Sequence, residues 1–279
     1  MFGVALSINR SNFVSIIERP KSVFAGVVSQ FILLPALTFL LVWIVDPLPG
    51  LALGMILVAA CPGGNVSNFF STVSNGNIAL SVTLTAIATL SATFMTPLNF
   101  DFWGSMLTSR EGLNTIDINF WQLFESVLIV LALPLLAGLG FAYKFPKATE
   151  KIKKPIRILS FVILVAFIVV TFYANLHIFM EYIHHVILLV LVHNALALAT
   201  GYYFAKLVGC ETQDRRTIAI ETGIQNSALG LLVIFTLFDG HGGMAIITAW
   251  WGVWHIISGL IVSTYFNYKS KTSLSTGNQ

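Results

Sequence analysis

The chain has 279 residues, of which 56% are hydrophobic and only 10% charged, whereas an ordinary soluble domain carries roughly a quarter charged residues. A composition this apolar cannot cover a globule with polar surface, and two cysteines, Cys61 and Cys210, do not build a disulfide framework. The apolar residues come in long runs, at 23–45, 121–143, 156–173, 186–204 and 252–266, close to the roughly 20 residues a helix needs to span a bilayer. A transmembrane barrel would show segments of about ten residues alternating in polarity, and these runs are greasy on every face. The sequence therefore predicts an all-α polytopic membrane protein.

In chain order, "MFGVALSINR" lacks a basic leader and a small-residue cleavage site, so it reads as the tail of a helix and not as a signal peptide. About nine residues at 1.5 Å each cannot cross roughly 30 Å, and the expectation is that the sequence starts inside a helix or lacks a preceding part. Arg10, Arg19 and Lys21 follow as a basic connection; the next span ends at "VDPLPG", and the hydrophilic break after that is "SNGN" at 74–77. Beyond a further span, 99–120 carries Arg110 against Asp101, Glu111 and Asp117. Then come a basic connection (Lys144, Lys147, Lys151, Lys153, Lys154, Arg157), "NLHIFMEYIHH", a connection with Lys206, Arg215 and Arg216, "FDGHGG", and an end with Lys269 and Lys271. Every Lys and Arg except Arg110 falls on one side of this alternation, which is the cytoplasmic side by the positive-inside rule. Eight full spans and a fragment result, with the carboxyl end cytoplasmic; short loops fit a bacterial inner membrane.

Two spans differ from the others. The span 51–70 contains "CPGGNVSN", with Pro62, Gly63 and Gly64 in its middle, and 218–238 contains "ETGIQNS" around Gly223. A bare interruption in lipid leaves backbone groups unpaired at several kcal/mol each, so it persists only where protein or a water-filled cavity supplies partners. By the charge alternation the two interrupted spans run in opposite directions. Paired broken helices in inverted positions point to the mid-membrane site of a transporter.

Glu221 lies in the second of these spans, about 8 to 9 Å along the axis from Arg215 and Arg216. A snorkelling glutamate is the bland reading. Against it stands a cost of about 2.5 to 3.5 kcal/mol for a carboxylate deep in a span, with no Lys or Arg at comparable depth to offset it. A proton or a bound cation remains. A small hard cation takes oxygen ligands; Gln30 interrupts the first full span, Ser67 and Asn68 follow the first break, and Gln225 and Asn226 follow the second. Ser81 and Thr85 share one helix face at i, i+4; for that pair alone, interhelical hydrogen bonding is the weightier reading.

Other polar residues weigh less. His193 with Asn194, and Trp254 with His255, read as interior packing or hydrogen-bond partners, and His177, His184, His185 and His241 have no metal-ligand spacing. No Walker A sequence, HExxH or nucleophile elbow is present, which disfavours an ATP-driven pump and an enzyme. The short basic loops flanked by spans are orientation signals and not nucleic-acid patches, and no obligate protein partner is evident.

Together "CPGGNVSN", the following "ALSVTLT", "ETGIQNSALG" and "VWHIISG" resemble the bile acid:sodium symporter family along nearly the whole chain. The resemblance implies two inverted repeats of five helices, with a core domain of two crossing broken helices and a separate panel domain whose amino-terminal helices are missing from this sequence. It divides the chain into a panel remnant and loop (1–19), core half one (20–98), an outer loop with panel helices (99–176), core half two (177–267) and a cytoplasmic tail (268–279). It implies sodium as the coupling ion, at a first site of Ser67, Asn68, Ser81, Thr85 and Glu221 and a second of Gln30, Glu221 and Gln225 with the carbonyls of Thr222 and Ile224. Asn65, Asn226 and His255 are the candidates for the substrate crevice, and Ile256 stands where relatives commonly have Asn. The expected function is sodium-coupled import of an organic anion, bile-acid-like or a small carboxylate. The alternatives are a proton-coupled carrier and a non-transporting membrane sensor of the same ligand.

Overall fold

A computed structural model describes residues 2–6, 14–64, 66–108, 119–174 and 176–276, and every extended element among them is a helix. After the short α1 (Phe2–Ala5) and α2 (Val14–Glu18), α3 (Pro20–Val28) runs through a π-helical turn, Ser29–Leu33, into α4 (Leu34–Val45). The first interrupted span follows as α5 (Pro49–Ala60) and α6 (Ser67–Val73), then α7 (Ile78–Thr108). Next, α8 (Phe120–Val127) passes through a second π turn, Leu128–Ala132, into α9 (Leu133–Lys144), and α10 (Pro146–Ala174) and α11 (Leu176–Leu207) come after it. The second interrupted span is α12 (Thr212–Gly223) with α13 (Ser227–Leu237), and α14 (Gly242–Thr276) closes the chain.

Both π turns have the same cause. Pro35 and Pro134 each lie two residues past the turn, where a proline has no N–H for the carbonyl four residues back and its ring pushes against that carbonyl. A wider turn absorbs the misfit without ending the helix. In the first case the widened turn contains Gln30.

Among the described residues, four helices are long and apolar enough to cross a membrane: Pro20–Val45, Ile78–Leu107, Val186–Leu207 and Gly242–Ser270. With the shorter apolar α5 and α13, this is the architecture of a polytopic helical membrane protein. On α10, Ile158, Val162 and Val169 are all more than half exposed, an apolar outer surface suited to lipid. Inside the bundle, α5 is buried at every residue from Gly50 to Ala60, as expected of a helix that is apolar all round. It packs on α14 through Gly54, where a Cβ would come 2.4 Å from Ile247 Cγ2 and 3.0 Å from the Met244 backbone.

Two connections expected from polarity are helical instead. The basic stretch 144–157 contains one non-helical residue, Phe145; Pro146 begins α10, and Lys147, Lys151, Lys153 and Lys154 lie on its first turns. Proline at the first helical position is pre-set for helix and gives up an N–H that would have no partner there. Likewise "NLHIFMEYIHH" is helical from Leu176 on, as the start of α11. A polar composition marks depth in the membrane better than it marks the end of a helix.

Candidate cation site at the two helix breaks

The two interruptions meet. Residues 61–64, 66 and 224–226 lie outside the helices, and Gly63 pairs with Gln225 in an isolated antiparallel bridge. The Gly64 N–H donates to the Ile224 carbonyl at 2.7 Å and the Asn226 N–H to the Pro62 carbonyl at 2.8 Å. Each break thus supplies the partners that the other lacks, which removes the penalty for opening backbone in lipid. Asn194 on α11 completes this seam, donating its side-chain amide to the Gly223 carbonyl at 2.8 Å.

Glu221 sits two residues before that seam, 5% exposed. Its carboxylate accepts hydrogen bonds from Ser67 Oγ at the start of α6 (2.6 Å), from Ser81 Oγ on α7, and from Thr85 Oγ1 one turn further along α7 (3.1 Å to Oε2). Ser67 and Thr85 hydroxyls are themselves 3.4 Å apart. Three hydroxyls from two helices therefore converge on one carboxylate, and no Lys or Arg among the described residues pairs with it. Arg216, the nearest cation along α12, turns the other way to donate to the Ser74 carbonyl and to Ser270 Oγ.

A second group of oxygens adjoins the first. Gln30, presented by the π turn, donates its amide to the Cys61 carbonyl and to Gln225 Oε1, both at 3.0 Å. Gln225 returns a bond to Gln30 Oε1 at 3.2 Å and donates to the Thr222 carbonyl at 2.6 Å. Gly63 lies between the groups: a Cβ there would be 3.3 Å from Glu221 Oε2, 3.2 Å from the Glu221 carbonyl and 3.8 Å from Gln30 Oε1. Gly63 also lines a cavity of about 10 Å³ together with Gly26, Gln30, Phe31, Leu84 and Glu221, about the room that one water-sized particle requires.

Not every candidate from the sequence belongs to this cluster on the same footing. The carbonyls of Thr222 and Ile224 already accept hydrogen bonds, from Gln225 Nε2 and Gly64 N respectively. Asn68 follows Ser67 on α6 and is half-buried. Asn226 caps α13, its side-chain oxygen accepting from the Leu229 N–H at 3.2 Å. His255 is buried on α14, one turn before Gly259, where that helix touches Phe70 and Ile224; its Nδ1 makes no hydrogen bond. Asn65 lies outside the described residues. His193 is interior, with Nε2 2.7 Å from Thr38 Oγ1 and its ring against Trp251. Asn194 is the interior hydrogen-bond partner that its place in the apolar run suggests, its acceptor being the Gly223 carbonyl. What polarity alone did not single out is Gly63 as the neighbour of the carboxylate.

The model of the sodium bile acid symporter family matches residues 1–182, which include Gln30, Ser67, Ser81 and Thr85. An uncharacterized sodium-dependent transporter of Bacillus subtilis is 32% identical over 271 residues, 97% of this chain and 81% of that protein, so the similarity extends through Glu221 as well. The chain belongs to the sodium bile acid symporter family. A chloroplastic protein of Arabidopsis thaliana, named a probable sodium/metabolite cotransporter, is 31% identical over 266 residues, covering 94% of this chain and 63% of its own length. The sodium-dependent organic anion transporter of Bos taurus is 28% identical over 285 residues, with 100% and 74% covered. The family and these relatives are transporters and not enzymes.

Proposed function

We propose that the protein is a sodium-coupled symporter that imports an organic anion, with the coupling sites at the two helix breaks. The observation that carries this reading is the environment of Glu221: one buried carboxylate, three converging hydroxyls and no partner cation among the described residues. Carboxylate, hydroxyl and amide oxygens suit a small hard cation, and the hydroxyls orient their dipoles toward a charge that a sodium ion would neutralise. In this proposal the first sodium uses Ser67, Asn68, Ser81, Thr85 and Glu221. The second uses Gln30, Gln225, Glu221 and second lone pairs on the Thr222 and Ile224 carbonyls, next to the cavity at Gly63.

Two sodium ions with one carboxylate leave a local charge of +1, which, with the amino end of α13, attracts an organic anion. Asn65, Asn226 and His255 would line its crevice. Inward transfer of two sodium ions and a monoanion moves one positive charge, so each 100 mV contributes roughly 2.3 kcal/mol, and each tenfold sodium gradient about 1.4 kcal/mol per ion. Three spans with the second interrupted occur twice, at 20–108 and 176–276. That repetition supports an inverted-repeat core (20–98 and 177–267) rocking against panel helices from 99–176.

The test is uptake into proteoliposomes of a bile acid and of a panel of small carboxylates. An inward sodium gradient should drive accumulation above equilibrium, and an inside-negative potential should increase it. Accumulation driven by a pH gradient in sodium-free buffer would instead assign Glu221 to proton coupling, and sodium-linked binding without flux would indicate a sensor.

A further inference from the structure

A second buried carboxylate lies on the same helix as Glu221. Asp214, in the first turn of α12, is 1% exposed. Its Oδ2 accepts from Ser22 Oγ at 2.5 Å and from Arg19 Nη1 at 3.1 Å, and its Oδ1 accepts from Asn77 Nδ2 at 2.8 Å. Arg19 bonds Glu211 at 2.7 Å as well, and these two acidic partners, Glu211 first, raise the guanidinium above its ordinary range. Asn77 is bound twice more to α12: its N–H donates to Thr217 Oγ1 at 2.8 Å, and the Thr217 hydroxyl donates back to the Asn77 carbonyl at 3.2 Å. It also starts α7 by accepting the Leu80 N–H at 3.1 Å. The turn lies flush on α12, because a Cβ at Gly76 would come 2.6 Å from Thr217 Oγ1.

The three segments joined at Asp214 are the ones that bring Gln30, Ser81 and Glu221 to the helix breaks. Ser22 precedes Gln30 on one continuous helix, Asn77 precedes Ser81 by one turn, and Asp214 precedes Glu221 by two turns. At 1.5 Å per residue, Asp214 is about 10 Å from Glu221 along α12, too far to share an ion. Its three acceptor bonds reach two other helices within a single side chain's span, so they fix how these helices are shifted along their axes relative to α12. A buried, fully satisfied polar node has discrete geometry and little tolerance for sliding.

We propose that Asp214 is a positioning residue for the cation site: by pinning α3 and the start of α7 to the start of α12, it sets the relative placement of Gln30, Ser81 and Glu221 and thereby the sodium affinity. This rests on the sodium reading of the site given above. The arrangement joins the two halves proposed for the core, so their shared movement would carry the site without deforming it.

Purified protein in detergent, titrated with sodium chloride against potassium chloride at constant ionic strength and read by thermal unfolding, tests the inference. Wild type should be stabilised by sodium, the shift growing with the logarithm of the sodium concentration above its dissociation constant. In Asp214→Asn the sodium concentration needed for a given shift should rise tenfold or more while the slope against log sodium is retained. In Ser22→Ala, which removes one donor and little volume, a three- to fivefold rise is expected. A lower sodium-free melting temperature with an unchanged sodium shift in both variants would make the node a simple stabiliser and overturn the proposal. Absence of a sodium response in the wild type would remove the sodium reading itself, and the role of Asp214 with it. Should Asp214→Asn not fold, Ser22→Ala and Arg19→Gln decide.

Discussion

Glu221→Gln separates the stability of the site from its ion chemistry. The substitution keeps shape but turns one acceptor oxygen into an NH2 donor, so Ser67 and Ser81 still find an acceptor, now a neutral one, while the Thr85 hydroxyl accepts from the new amide. Hydrogen bonds to a charged group contribute about 1.5 to 3 kcal/mol against roughly 1 for neutral ones, so three of them lose on the order of 3 kcal/mol. The variant is also spared the cost of a buried charge, about 2.5 to 3.5 kcal/mol on the mildest scale. The two nearly cancel, and the sodium-free melting temperature should stay within a few degrees of wild type. Sodium binding does not balance in this way. A unit charge about 4 Å from a cation contributes ~4 kcal/mol at an effective dielectric constant of 20, which corresponds to about a thousandfold in affinity. Thermal unfolding in a sodium series should therefore show a rise with the logarithm of sodium concentration for wild type and none for Glu221→Gln. A variant that folds and keeps the wild-type sodium response would refute the assignment of the carboxylate.

Three other substitutions probe the surroundings. Gly63→Ala places a methyl group 3.3 Å from Glu221 Oε2 and 3.2 Å from the Glu221 carbonyl, and it should raise the sodium concentration needed for a given shift about tenfold in the same assay, the backbone having to shift by a few tenths of an ångström. Gln30→Leu leaves the Cys61 carbonyl and both ends of the Gln225 amide short of partners; for three interhelical bonds at about 0.6 to 1.7 kcal/mol each in a membrane protein, stability should fall by roughly 2 to 5 kcal/mol, seen as a lower melting temperature without sodium. Asn194→Leu strips the Gly223 carbonyl of its donor and should cost about 1 kcal/mol by the same measure; backbone amide exchange near residues 223–226 should quicken, while that of α5 stays slow.

The parts of this molecule legible in its sequence were those where polarity and depth disagree. Glu221, Gln30, Ser67 and Gln225 are conspicuous because a polar group in an apolar run requires a partner, and the structure gathers all four around the breaks that follow α5 and α12. Ser81 and Thr85 read ambiguously, since a hydroxyl at i, i+4 serves helix packing equally well; only the approach of α12 to α7 shows that both point to Glu221. At the ends of spans the same logic fails. Asp214, Arg19 and Arg216 look like ordinary loop charges, and whether a charge there turns inward depends on the rotational phase of its helix and on neighbours far away in sequence. The boundaries of α10 and α11 were missed for a related reason: lysines and histidines mark where the membrane ends, while the helix goes on until its backbone runs out of partners. Gly63 was visible as a helix breaker, but the carboxylate beside its absent Cβ was not, because that proximity arises between residues 158 positions apart in sequence.

Equilibrium binding of radiolabelled sodium to the purified protein, compared between wild type and Glu221→Gln, addresses the central claim most directly. Saturable binding of two ions per wild-type chain, undisturbed by potassium and lost in the variant, is the predicted result. Binding that is absent from the wild type, or equal in the two proteins, would contradict it.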